Sequence, residues 1–299
     1  MEADMDNRLK IGFIGAGALA TTLSIAFKQR GFPIVAVSSR GYESARTLAD
    51  LLDGCRAVTD NQKVADNADL VFIATPDDII PAVASQIRWH KGQSVVHCSG
   101  ADSIDILNPA RQAGAYTGVF HPLQTFAAMM QENLKGITFA LEAGEPLLTS
   151  LKEMSEMLGG HWIELKAKDR VLYHAAAVFA CNYLVTLTSI AVKLWGNIDV
   201  PQYKAIQALL PLMRGTLNNI EATGVMQSLT GPIARGDTGT IKRHLTALDA
   251  IDPELTRLYR ELGINTIPVA LEKGRLDIRQ AKEMEDILGY SIRQTERPK

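Results

Sequence analysis

Residues 10–27 read KIGFIGAGALATTLSIAF, and the fold turns on how this stretch is parsed. Its start is apolar and β-favouring, its middle is glycine-rich, and its end carries apolar residues at helical spacing. Gly15, Gly17 and Ala20 make G-x-G-x-x-A directly after the strand pattern. The first glycine permits a tight strand-to-helix turn, the second removes a side chain where a diphosphate would rest, and Ala20 lets the helix lie close to the sheet. Backbone N–H groups of Ala18, Leu19 and Ala20 then meet the diphosphate at the positive helix end. A preceding strand, a following amphipathic helix and a second strand at the right distance make this a dinucleotide site rather than a bare βα turn.

The second strand selects the dinucleotide. It ends in VAVSSRGYESA, with Ser38, Ser39 and Arg40 where an NAD site usually places a carboxylate. A carboxylate would hold the ribose hydroxyls and repel a 2′-phosphate; hydroxyls with a guanidinium attract it. The expected cofactor is NADP(H). Two more strand ends belong to the same crevice: Ala74-Thr75-Pro76 in DLVFIATPDDII, and His97 with Ser99 and Gly100 in SVVHCSGA. Asp77 is expected mainly as the N-cap of the following helix. His97 reads equally as a satisfied buried histidine and as a functional one.

Around this motif, strand patterns near residues 34–37, 70–74, 94–97, 118–120, 137–141 and 162–165 alternate with helical ones near 42–52, 78–87 and 146–158. Such alternation predicts an α/β class fold with a mostly parallel, doubly wound sheet. Beyond Lys166 helical periodicity takes over with no convincing strand. The expected division is a dinucleotide-binding Rossmann domain over residues 1–166 and an all-helical substrate and dimerisation domain over 167–299. The charged tail from Gly274 is expected to be a surface helix with a frayed end.

The 299-residue chain is 46% hydrophobic and 21% charged with a formal net charge of −2, so it can bury a sizeable core and offers no basic run for nucleic acid. Three cysteines without C-x-x-C spacing argue for a reducing compartment and against a disulfide framework. The six histidines lack metal-ligand spacing, so no metal is expected. The start, MEADMDNRLK, lacks an apolar secretion core, and a cytoplasmic location is expected. Residues 175–192 carry no formal charge but include Asn182, Thr186, Thr188 and Ser189. They read as the buried central helix of a soluble protein rather than a membrane span, and suggest a homodimer packed through the helical domains.

Several stretches together carry a resemblance: GAGALA, VSSR, ATPDDII, VHCSGA, VFHPLQTFA, LYHAAAVFACNYLVTL, LTGPIARGDTGTIKRHL and PELTRLY. They resemble a family of Rossmann-like NADP oxidoreductases whose helical C-terminal domain was long of unknown function. It sits in the 6-phosphogluconate-dehydrogenase-like group, beside ketopantoate, pyrroline-5-carboxylate and prephenate enzymes. The resemblance implies an NADPH-dependent reductase of a small 2-oxo acid, with 2-dehydropantoate as leading substrate. An imine or prephenate-like acceptor is the alternative, and a non-catalytic NADPH sensor is the third.

In ketopantoate reductase a lysine on the first long helix after the dinucleotide domain donates the proton, supported by an asparagine further on. Here the corresponding helix offers His174 and Asn182, about 80° apart round a continuous helix. Histidine titrates near neutrality and can serve as acid or base; Lys168 is the reserve donor. His121, ahead of Pro122, is expected beside the nicotinamide or substrate. Arg235 is the candidate clamp for a substrate carboxylate, and Asp237 or Thr238 would cap the helix that follows it.

Overall fold

The computed structural model describes residues 9–126 and 134–289. The first half runs β1 (Ile11–Ile14), α1 (Ala18–Gln29), β2 (Ile34–Ser38), α2 (Tyr42–Ala49), β3 (Arg56–Val58), α3 (Asn61–Ala65), β4 (Leu70–Ile73), α4 (Ile80–Gln86), β5 (Ser94–His97), α5 (Asn108–Gln112) and β6 (Tyr116–Pro122). It continues with β7 (Thr138–Ala143), α6 (Leu147–Met157), β8 (His161–Glu164) and α7 (Arg170–Ala180). Then come α8 (Asn182–Gly196), α9 (Gln202–Ser228), α10 (Thr238–Asp249), α11 (Pro253–Glu272) and α12 (Ile278–Gly289).

All eight strands join one sheet in the order β3-β2-β1-β4-β5-β6-β7-β8. Every pairing is parallel except β6 with β7, where His121 stands opposite Ala140. The strands are apolar along both faces because each face is covered. One side gathers Phe13, Leu23, Phe27, Phe72, Phe120 and Leu141, with Phe13 stacked on Phe72 at 5.0 Å. The other gathers Ile14, Val71, Ile73, Ile80, Val95 and Leu107. Strand order reverses about β1 and β4, so the crevice beyond their carboxyl ends is where a ligand of such a sheet belongs. Sequence reading missed β3, α3 and α5. Each is only three to five residues long, too short for periodicity to declare itself.

The chain divides into two compact units between Leu187 and Thr188. The first helix after the sheet is therefore held with it, through the buried Arg170 described below. The second unit is helical throughout its described residues. Its core is formed by Ile241, Leu245, Ile267, Ala270, Met284 and Leu288. Asp237 caps α10 as expected, accepting from the Thr240 amide at 2.9 Å. The tail forms α12; its expected frayed end lies outside the described residues.

One expectation is overturned. The apolar run 175–192 is not buried in its own chain: α8 has no buried residue, and Phe179 and Val185 are 71% and 68% exposed. Residues 167–196 are long and apolar enough to cross a membrane by length and composition alone, with none of that window buried. An apolar composition records that a surface will be covered, not whether the cover comes from the same chain.

Candidate active site

The glycine turn is built as its sequence demands. Gly15 sits at φ +113°, and a Cβ there would lie 2.4 Å from the Ala74 carbonyl oxygen. Its amide donates to the Ser38 carbonyl at 2.8 Å, tying the ends of β1 and β2 together. Gly17 is the N-cap of α1, with no side-chain cap and no acid in the first turn. A Cβ on Gly17 would meet nothing within 4 Å. The first-turn amides of Ala18, Leu19 and Ala20 have no intrahelical acceptor, which leaves an anion-ready helix end. At the end of β4 the Thr75 hydroxyl is buried without a hydrogen-bond partner among the described residues. An open helix terminus and an orphaned hydroxyl beside it fit the diphosphate and nicotinamide halves of a dinucleotide.

At the end of β2 the three expected groups divide. Ser38 is buried and donates its hydroxyl to Asn61 Oδ1 at 2.7 Å. Ser39 is half-buried and Arg40 exposed, and neither is drawn into the protein as Ser38 is.

The β5 end is a closed polar loop. His97 is fully buried; its Nδ1 accepts from the Ser99 amide at 3.2 Å, which places the proton on Nε2, 3.1 Å from the Ser103 carbonyl oxygen. Burial pulls this ring down to about 4, so it stays neutral. Of the two readings, the structure supports the satisfied histidine. The Ser99 hydroxyl lies 2.8 Å from Asp77 Oδ2 and 2.9 Å from Asp102 Oδ2. Asp77 therefore spends its carboxylate on Ser99 and makes no side-chain cap, contrary to expectation.

Three rings converge beyond β5 and β6. His121 Nδ1 lies 2.8 Å from the Tyr173 hydroxyl, with the rings edge-on. His174 stands perpendicular to His121 at 6.4 Å between centroids. Gly100 makes room for both: a Cβ there would lie 2.7 Å from His174 Cδ2 and 2.9 Å from His121 Nε2. Burial, with the nearby Arg170 guanidinium adding like charge, lowers His121 to about 4. Burial raises Tyr173 to about 12, although Arg170 opposes the shift.

Beneath them Arg170 opens α7 as a fully enclosed cation. Its Nη2 donates to the Ser99 carbonyl at 2.8 Å, and Nη1 lies 3.6 Å from Glu142 Oε2. Arg170 Nε and Nη1 and Glu142 Oε2 are buried without hydrogen-bond partners among the described residues. Arg170, Tyr173 and Glu142 were absent from the sequence reading. An arginine opening an otherwise apolar helix was the one available signal.

The structure thus brings His121 and His174 together with Gly100 and Ser99. α7 and α8 meet at Cys181, whose backbone (φ −111°, ψ −65°) is distorted but still in the right-handed helical region, and Asn182 opens α8 as an exposed residue. Lys168 lies in the short turn before α7 and is exposed. Arg235 belongs to the second unit, where it is exposed in the turn ahead of Gly236. No cluster of potential metal ligands occurs among the described residues.

A doubly wound sheet, a glycine turn opening onto a bare helix end and titratable rings at neighbouring strand ends define a dinucleotide-dependent oxidoreductase of the Rossmann type. Residues 2–122 match the Rossmann-like domain model and residues 137–266 the domain of unknown function DUF2520. The chain belongs to the family that joins these two domains, a family of NADP oxidoreductases, and NADP(H) is its coenzyme. Among solved structures it is similar to BF3122 of Bacteroides fragilis, described as an NADP oxidoreductase. That likeness has 30% identity and a TM-score of 0.73, covering 87% of this chain and 98% of the other. Protein TM1727 of Thermotoga maritima is 26% identical with a TM-score of 0.70, over 89% and 100% of the two chains. Among curated proteins it is similar to pyrroline-5-carboxylate reductase 3 of Rattus norvegicus. Identity there is 23%, over 75% of this chain and 82% of the relative.

Proposed function

We propose that the protein uses NADPH to reduce the carbonyl of a small 2-oxo acid, with 2-dehydropantoate the first substrate to test. The observation that carries this reading is the pair of imidazoles, His121 at the end of β6 and His174 on α7, admitted by Gly100 just beyond β5. Bound NADPH supplies the hydride. The residues must then bind the carbonyl, polarise it and deliver one proton to its oxygen. His174 is the proton donor: it is half-buried, and neither ring nitrogen has a hydrogen-bond partner among the described residues. Histidine is also the side-chain type suited to such transfer near neutral pH. The proton passes from His174 to the oxygen as the hydride reaches carbon, and solvent restores it.

The curated relative favours a second acceptor, the C=N bond of a cyclic imino acid. One experiment separates these readings: loss of reduced-nicotinamide absorbance with 2-dehydropantoate, other 2-oxo acids and pyrroline-5-carboxylate. We expect turnover with 2-dehydropantoate, and His174→Ala should lower kcat by about 100- to 10,000-fold with NADPH affinity unchanged. Turnover with the imine alone would transfer the activity to the second reading. Cofactor binding without turnover on any acceptor would leave the sensor.

We further propose that the bare apolar faces are covered by a second copy of the chain. Exposed apolar residues occur along α7 and α8 (Leu172, Phe179, Val185) and separately along α9 (Leu212, Leu217, Val225). Burying such residues is worth about 1.5–3 kcal/mol each. Sedimentation should show a dimer without detergent; a stable dilute monomer would contradict this.

A further inference from the structure

We propose that Tyr173 is a positioning residue: its hydroxyl holds His121 as the neutral tautomer with the proton on Nε2, so that the ring presents a fixed N–H donor beside Gly100 to the reacting carbonyl oxygen. This deepens the reductase reading above and rests on it.

The Tyr173 hydroxyl and His121 Nδ1 lie 2.8 Å apart, so one of them must donate. A phenol is the better donor and an imidazole nitrogen the better acceptor. If Nδ1 donated instead, the phenol proton of half-buried Tyr173 would have no acceptor among the described residues. With Nδ1 accepting, the neutral ring carries its hydrogen on Nε2, the atom that Gly100 leaves uncovered. Among the described residues Nε2 has no hydrogen-bond partner of its own.

The groups facing the ring keep it neutral. From β5 comes His97, neutral and engaged with Ser103; from α7 come the Arg170 guanidinium, Tyr173 and His174. None of them is a carboxylate that would hold an imidazolium. A neutral imidazole does not hand over its remaining proton, which would require imidazolate. It can, however, strengthen a hydrogen bond as negative charge gathers on the oxygen, and a donor fixed beforehand needs no reorganisation. The labour therefore divides: His121 polarises and His174 protonates. Gly100 is part of the same arrangement, because any side chain there would strike both rings.

The test reads the ring directly in the ligand-free full chain, by long-range proton–nitrogen correlation NMR on protein labelled with nitrogen-15 histidine. Wild-type His121 should show a protonated Nε2 and a bare Nδ1 from about pH 8 to about pH 5. Tyr173→Phe should turn this single pattern into a mixture of tautomers. In turnover assays the same variant should lose about 10- to 100-fold in kcat. Its NADPH affinity should stay unchanged and its acceptor KM nearly so. A wild-type ring carrying its proton on Nδ1 overturns the proposal even if the variant does not fold, and so does a Tyr173→Phe ring still locked with Nε2 protonated. The predicted tautomer behaviour combined with no turnover on any acceptor would overturn the catalytic half and the reductase reading, but not the tautomer.

Discussion

Replacing Arg170 with methionine is expected to cost the folded protein about 3–5 kcal/mol near pH 8. The guanidinium is fully enclosed, so its removal exposes nothing to water. It strips the Ser99 carbonyl of its donor and leaves Glu142 facing a buried hydrophobe. Burial already pushes the Glu142 carboxyl upward, with Arg170 as the main opposing influence. Without the arginine that carboxyl rises further, and the folded state holds a proton that the unfolded state has released. Stability of the variant should therefore fall as pH rises through the raised value and recover as pH drops below it. Adding Glu142→Gln should restore much of the loss and flatten the pH dependence, because a pair is costly chiefly when half of it remains. Urea unfolding at pH 6 and pH 8 checks both points; a cost below about 1 kcal/mol, equal at the two values, would show that the pair does not anchor α7.

The second large effect lies at the opening glycines, where two substitutions of equal size should act differently. Gly15→Ala places a methyl 2.4 Å from a backbone oxygen and 2.7 Å from the Ala74 carbonyl carbon, at a φ of +113°. Neither obstacle is a flexible side-chain tip, so β1 and β4 must part at the crevice. We expect a loss of about 2–4 kcal/mol in stability, from backbone strain and crowding together. NADPH affinity should fall at least about 100-fold, since the turn that aims α1 is lost. Gly17→Ala is the contrast. Its backbone is extended (φ −80°, ψ −177°) and the methyl meets nothing, so the fold should be indifferent. Yet the methyl enters the diphosphate's space, and binding should still weaken sharply. Thermal unfolding paired with cofactor titration separates the two. Equal loss of stability in both variants would mean that the turn is not strained as described.

Most of the sheet was legible because its signals are local. Apolar runs bounded by turns gave seven of the strands, and the G-x-G-x-x-A spacing located the nucleotide end of the first. Only β3 escaped, a three-residue edge strand that begins with Arg56. What could not be read was pairing across distance. Arg170 and Glu142 look like ordinary charges in sequence, yet α7 and β7 bring them to 3.6 Å inside the protein. Tyr173 stood beside His174 in the chain, but its meaning depends on His121 at the end of β6, a neighbour only once the sheet is assembled. Ser38 looked like Ser39 until Asn61 claimed its hydroxyl. The apolar helix was misjudged for a related reason: periodicity reports a face to be covered and says nothing of what covers it.

The proposed reductase needs a phosphorylated coenzyme held between the first turn of α1 and the pair Ser39 and Arg40. Titrating the purified protein with NADPH and NADH in parallel, followed by nicotinamide fluorescence, tests this directly. NADPH should bind at least about 10-fold more tightly, a charge-assisted phosphate contact being worth roughly 1.5–3 kcal/mol, and Arg40→Ala should bring the two coenzymes close together. Equal affinities in the unaltered protein, or no response to either coenzyme, would contradict it.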